Sequence, residues 1–566
     1  MNKNLKKSTY LAIFLLLTSA SSYSHTTADS GSAITSAELN SKQFNYPQDL
    51  KTGASQTQLS NYAWRLFIAS MQQTSASLSS GNGRGASDKT HNFIDTGESP
   101  IISNPLVFES LYHRTEAYPY YVDNNKPASP IDQAPVYQTY YEADNSESSG
   151  KATVKIKGET TVTGANYVYL DETNQISQNF LYYKKSNAPD FPVLFMAKVN
   201  ALETDYAFHQ TAKPSTEKSW DFPDQTLEIK TAWRRISDIK KSDAHKYHHA
   251  KSSYWVANSK GIPTLKEDTF ALIAIHIIQK TANYPEFIFT TFEHIDAVTR
   301  DKNQTIVDPA YKTEYNQLAY QSPNSEPHTA TANGAYYINA PGQPDRKNKL
   351  STYTLPPTGR ISQNYTTVVQ PNTIISEVNN VNNQVNTLIQ SIDKNNIWAN
   401  YRLKGVQAVP TSDSDTSNFY LANIVVESSQ PGVQLFSGVL LYGGVPYGGS
   451  PENPDAVYLV NCRGDKGNSS CKFPIASYNH GMTLPVTYNN VSLNVVGGSH
   501  VPTPQYNMGG CQGCHGAAQQ AGRDFSFLAS GALGAGKELD SVPAADLTAK
   551  QKAAHNKAMA KSANSQ

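Results

Sequence analysis

The chain has 566 residues, with 47 Lys plus Arg against 47 Asp plus Glu, so its formal charge is zero. No global field draws it toward nucleic acid or anionic lipid, and nucleic-acid binding has no support. The length allows a substantial buried core. Charged residues make up only 17% and Tyr numbers 34, with Asn, Ser and Thr plentiful, a balance commoner in exported β-rich proteins than in cytosolic helical ones.

Lys3, Lys6 and Lys7 precede an apolar run from Tyr10 to Leu17, followed by the small-residue stretch from Thr18 to Ser22. This is the layout of a secretory signal peptide, read here as 1–24, and cleavage after Ala20 or after Ser24 fits alike. The run falls far short of the ~20 residues that cross a bilayer. The expectation is a periplasmic or secreted protein with no membrane span after signal cleavage.

Residues 25–55 lack apolar periodicity and read as a disordered lead-in. A large β-rich body, 56–505, then opens with a helix from Gln56 to Met71, in which Leu59, Tyr62, Ala63, Leu66 and Phe67 recur at three-to-four spacing beside Trp64. Ser75 to Ser99 is loop by composition. Short β-branched and aromatic runs predict strands at Ala152 to Ile156, Tyr167 to Leu170, Phe180 to Tyr183 and Thr226 to Trp233. The runs from Phe191 to Val199, Phe270 to Ile278 and Phe287 to Phe292 are apolar enough for central strands. Residues 301–365 are polar and loop-like, and a helix is predicted from Val378 to Ile397. Strand signals return at Leu421 to Val426, Val433 to Tyr442, Val457 to Val460 and Val491 to Val496. The fold class is α+β, with a predominantly antiparallel β-rich body, a few helices and a short C-terminal helical segment.

The four cysteines form two pairs. Cys462 and Cys471 flank a loop of turn formers, and in an oxidising compartment they read as a disulfide closing that loop. The competing reading, thiolate ligation of a structural zinc, needs two further ligands that the sequence does not offer nearby. The second pair lies in Cys511-Gln-Gly-Cys514-His515, the CxxCH pattern of covalent c-type haem attachment. The two thiols add to the haem vinyl groups, and the histidine supplies the proximal iron ligand. A thioredoxin-like CxxC is the rival, but no βαβ pattern surrounds Cys511. The expected cofactor is one covalent haem c, held by residues 506–566.

Met559 and His555 are local candidates for the sixth iron ligand, but they sit in an Ala- and Lys-rich tail without an apolar wall. Met508 precedes the motif by three residues, and His480, Met482 and His500 lie upstream. A five-coordinate iron stays open. Phe525, Phe527 and Leu528 offer either a dry haem wall or ordinary core. Because the tail is short, the haem must lean on the large body. Among the other histidines, His276 in an apolar run reads as core, and His245, His248 and His249 in a Lys-rich stretch read as surface. Glu293-His294 has the look of an oriented base, but no nucleophile accompanies it.

Several landmarks together resemble a group of exported bacterial cytochrome c family proteins that pair a large N-terminal region with one late CxxCH. They are Trp64-Arg-Leu-Phe-Ile68, Ile229-Lys-Thr-Ala-Trp233, Ala274-Ile-His276 through Lys280 to Thr291-Phe-Glu-His294, Leu421-Ala-Asn423 with Glu427, the haem motif, and Asp524-Phe-Ser-Phe-Leu528. The resemblance implies haem binding and electron transfer, with His515 as proximal ligand, and it implies no substrate. The chain departs from the group's pattern in the long interval between Glu427 and Cys511, which contains Cys462 and Cys471 and reads as an inserted β-rich elaboration of about 428–505. Three functions follow in order of preference: a monohaem electron-transfer protein with an unknown redox partner protein, a haem-dependent oxidoreductase or peroxidase-like enzyme with an open iron position, and a non-catalytic exported binding protein.

Overall fold

A computed structural model describes residues 30–102, 104–119, 128–145, 154–163, 166–170, 181–185, 188–212, 214, 218–257, 263–297, 310–313, 365–367 and 374–408. Beyond these it describes short strand pieces between 439 and 507, residues 511 and 515, and the turn 523–529.

The lead-in does not conform to expectation. From residue 30 it is ordered, with a single helical turn α1 (Ser36–Leu39) closed by a Thr35–Glu38 capping box, and with Ile34, Leu39 and Leu50 buried. The reason lies in α2 (Gln56–Ser70), whose buried Arg65 must find acceptors. Its guanidinium pairs with Glu38 at 2.8 Å and donates to the carbonyls of Ser30 and Ser32. A buried cation without such partners is costly, so the polar segment is recruited into the core.

The capping box of Ser55 with Gln58 starts α2 at the predicted residue. Two single turns follow, α3 (Val107–Ser110) and α4 (Arg114–Ala117), on either side of β1 (Tyr112–His113). Next come β2 (Val136–Asn145), β3 (Val154–Thr163), β4 (Val168–Leu170), β5 (Leu181–Lys185), β6 (Ala188–Pro192) and β7 (Leu194–Val199). Helix α5 (Ala201–His209) was not expected from the sequence. After it run β8 (Leu227–Arg235), β9 (His249–Ala257), β10 (Pro263–Gln279) and β11 (Ile288–His294). Strands β12 (Ala310–Thr313) and β13 (Tyr365–Thr367), helix α6 (Ser376–Ile392) and β14 (Tyr401–Gln407) complete the body. Among the described residues no helix is long and apolar enough to cross a membrane.

The fold is α+β and predominantly antiparallel. The main sheet has the order β1-β7-β8-β10-β11-β14, with β9 beside β10 and β4 beside β9, and among the described pairings of this sheet β4–β9 alone is parallel. Strand β10 is the spine: β8 takes one edge over Phe270 to Gln279, while β9 and then β11 share the other. Alternation along the strands separates two cores. Leu194, Met196, Ile229, Trp233, Ile275, Ile277 and Phe292 face α2 and α6. There Asn382 accepts from Trp64 Nε1 at 3.1 Å and from the Leu403 amide at 2.9 Å, tying both helices to β14. Val199, Ile278 and Phe289 face the opposite way, into a second core that also contains Tyr118, Trp220, Phe222 and Phe525.

Candidate functional site

The second core is where Cys511, His515 and the turn 523–529 dock. His515 and Cys511 are half-buried, and the His515 ring lies 4.8 Å, centroid to centroid, from both Phe289 of β11 and Phe527. Its Nδ1 lies 2.6 Å from the carbonyl oxygen of Phe525. A carbonyl can only accept, so Nδ1 carries the proton and Nε2 keeps its lone pair. Burial holds the imidazole down to about 4, so it is neutral at pH 7. A neutral imidazole with an oriented ring and a lone pair on Nε2 is the form that ligates a metal. These residues therefore fit a haem whose iron takes His515 from one side, with Phe289, Phe527 and the partly buried Leu528 as apolar surroundings.

The turn that supplies the Phe525 carbonyl is fastened at three points. Arg523 forms a parallel bridge with Trp220. Asp524 Oδ2 accepts from the Phe222 amide at 2.9 Å and from Lys280 Nζ at 2.6 Å, and Lys280 also pairs with Asp221. Burial raises the Asp524 carboxyl, while Lys280 opposes the rise. Ser526, fully buried, accepts from the amides of Leu528 and Ala529, and its hydroxyl reaches Glu228 and Tyr118. Asp524 holds φ of 53°, and Phe287, whose ring meets Phe525 edge-on at 6.1 Å, holds φ of 64°. Left-handed backbone at a bulky residue such as Phe287 costs on the order of 1–3 kcal/mol and persists only where surrounding contacts over-determine it.

Beneath the turn lie two buried carboxyls, Glu203 from the first turn of α5 and Glu228 from β8. Tyr118 donates a hydrogen bond to Glu203 Oε1. Burial pushes both carboxyls up, and the negative charge of Glu228 adds to the rise at Glu203.

The other sequence candidates fall in different places. Cys514, Cys462, Cys471, Met508, His555, Met559, His480, Met482, His500 and Glu427 lie outside the described residues, as does the proposed signal peptide. The strands beside the Cys462 and Cys471 pair, Tyr458–Val460 and Lys472–Pro474, run antiparallel in register. His276 is buried on the same sheet face as Phe289, close enough for its charge to bear on His515. His248 corrects the surface reading: it is 1% exposed, and its Nε2 lies 2.7 Å from buried Glu109, among Phe108, Trp233 and Trp398. Local charge misled there, because the core claims the residue just before β9. Glu293 does not orient its neighbour: alternation sends Glu293 to Arg402 at 2.8 Å and stacks His294 on Tyr247.

Sequence reasoning missed Asp221, Glu203, Glu228 and Tyr118. They are isolated polar residues at strand and helix ends, and nothing local marks them. Asp524 and Lys280 were visible only as members of resembling blocks. No known protein family matches the chain, and comparison with curated proteins and with solved structures likewise finds no match.

Proposed function

We propose that the protein is an exported monohaem c-type cytochrome, in which Cys511 and Cys514 anchor the haem and His515 is the proximal ligand. The reading rests on the 2.6 Å contact from His515 Nδ1 to the Phe525 carbonyl, which leaves Nε2 as the metal-binding nitrogen of the CxxCH motif. Bound there, haem supplies a one-electron couple. The protein's part is to hold and tune it. Phe525 fixes the imidazole, Phe289 and Phe527 keep water from its flanks, and the Asp524–Lys280 clamp fixes the turn that carries the carbonyl.

The deciding experiment is expression of the full chain in a periplasm competent for c-type maturation, with oxidised and reduced spectra and a pyridine haemochrome assay. Covalent haem with a low-spin reduced spectrum, lost in a Cys511→Ala, Cys514→Ala double variant, supports the cytochrome. A high-spin spectrum that shifts with carbon monoxide or peroxide favours the haem-enzyme alternative. A folded protein without covalent haem refutes both and leaves the exported binding protein.

A further inference from the structure

Resting on the cytochrome reading, we propose that Glu203 and Glu228 form a proton-binding site coupled to the haem site, so that the protein takes up one proton with the electron it accepts. Glu203 is 0% and Glu228 5% exposed, and their carboxyl groups lie within hydrogen-bonding reach of each other. Glu203 Oε2 and Glu228 Oε1 are both buried and, among the described residues, meet no donor. Two ionised carboxylates cannot bond, since each only accepts. A shared proton joins them and satisfies both oxygens. This is the arrangement in which one carboxyl ionises with difficulty beside the other.

The groups facing the pair explain why it is poised rather than permanently charged or neutral. Tyr118 donates to Glu203 from the chain after α4, and the Ser526 hydroxyl reaches Glu228 from the C-terminal turn. Asp524, on the same turn, disfavours negative charge on both carboxyls. Lys230, on the same strand as Glu228, favours its ionisation. The cation that follows β10, Lys280, is held between Asp221 and Asp524. Burial brings Glu228 up to about 7, within reach of physiological protonation.

Coupling to the iron follows from connectivity. Ser526, which touches Glu228, adjoins Phe525, whose carbonyl holds His515. In the oxidised protein the pair holds one shared proton. A haem held at His515 would supply a one-electron couple; with an electron added there by an external donor, the Glu228 carboxylate would take one proton from solvent, which offsets the added negative charge. Linkage is reciprocal: a proton that binds more tightly to the reduced protein raises the midpoint potential as pH falls.

The experiment is a spectroelectrochemical titration of the haem protein with soluble mediators from pH 5 to 9, together with reduced-minus-oxidised infrared difference spectra. The expected midpoint falls as pH rises across neutrality, by up to about 59 mV per tenfold change in proton concentration. A protonated-carboxyl signal should grow on reduction. Glu228→Gln and Glu203→Gln, which imitate the protonated side chains, should each flatten the slope and remove the infrared change. Covalent haem with a pH-independent midpoint overturns the coupling while leaving the cytochrome standing. A slope that survives in both variants overturns the assignment to this pair. A chain that attaches no haem refutes the cytochrome itself, and the coupling falls with it.

Discussion

Lys280 lies between two carboxylates, Asp221 and Asp524, that fasten the C-terminal turn, and Lys280→Met tests how much the turn depends on it. The Lys280 side chain is 1% exposed and its Nζ sits 2.6 Å from Asp524, itself 9% exposed, whereas Asp221 is 29% exposed and stays partly hydrated. Methionine keeps the apolar stem and removes the charge, so the loss falls on Asp524, left buried opposite Asp221. Breaking a buried pair in this way costs about 3–5 kcal/mol. The sign with pH is determined: Asp524 is already raised by burial, and without Lys280 it rises further. A carboxyl whose folded value lies above its unfolded value binds more protons in the fold, so stability falls as pH rises through that window. The variant should lose about 3–5 kcal/mol at pH 8 and much less at pH 5, read by urea unfolding with tryptophan fluorescence. A loss under about 1 kcal/mol at pH 8, the scale of a surface pair, refutes the clamp. So does an equal loss at both pH values.

Four further outcomes follow from buried polar contacts and the aromatic wall. Asn382→Leu strands the Trp64 indole N–H and the Leu403 amide, and urea unfolding should show a cost of about 1–3 kcal/mol for each. Arg84→Met leaves Glu116 buried without its 2.7 Å partner and should cost about 3–5 kcal/mol at neutral pH. Arg84, opposing the effect of burial, holds Glu116 below the usual carboxylate range, so in the wild type its contribution is present above that range and is lost as pH falls through the folded value. Acid unfolding should therefore begin at higher pH if Glu116 is replaced by Gln. Phe289→Ala removes one of the rings 4.8 Å from His515 and should admit water beside the imidazole; on the cytochrome reading, spectroelectrochemistry should then show a lowered midpoint potential and a broadened spectrum.

What the sequence made legible was set by periodicity. Helix α2 and the central strands carry long apolar patterns, and the structure places α2 and β11 within a few residues of expectation, while β10 contains the predicted run from Phe270 to Ile278 but begins at Pro263. α5 was missed because its surroundings, Asn200 as cap with Glu203 and Thr204 buried beneath, carry a polar sequence. β9 was missed for the same reason: its first residues follow a run of lysine and histidine. The CxxCH pattern on which the cytochrome reading rests is local in sequence and so is legible there. Its supports were not, because Glu228 and Ser526 touch only after the chain has folded. Spacing cannot announce a contact between residues some three hundred positions apart.

The placement of those supports bears on what the large body is for. The C-terminal turn and the imidazole it holds reach three adjacent strands: Ser526 meets Glu228 of β8, Asp524 pairs with Lys280 just past β10, and His515, bonded to the Phe525 carbonyl, lies against Phe289 of β11. Adjacent strands in a hydrogen-bonded sheet are held at fixed separation, so these three contacts together fix the turn and the imidazole relative to the sheet. The imidazole is oriented by a carbonyl within that turn, which makes the sheet, rather than the tail, the rigid element of the site. Two of the three attachments are charged or titratable and lie in the same buried layer, where a change of one charge is poorly screened. On the cytochrome reading, the body therefore sets the electrostatic environment of the iron as well as its position. A tail-only protein would keep Cys511, Cys514 and His515 and lose both.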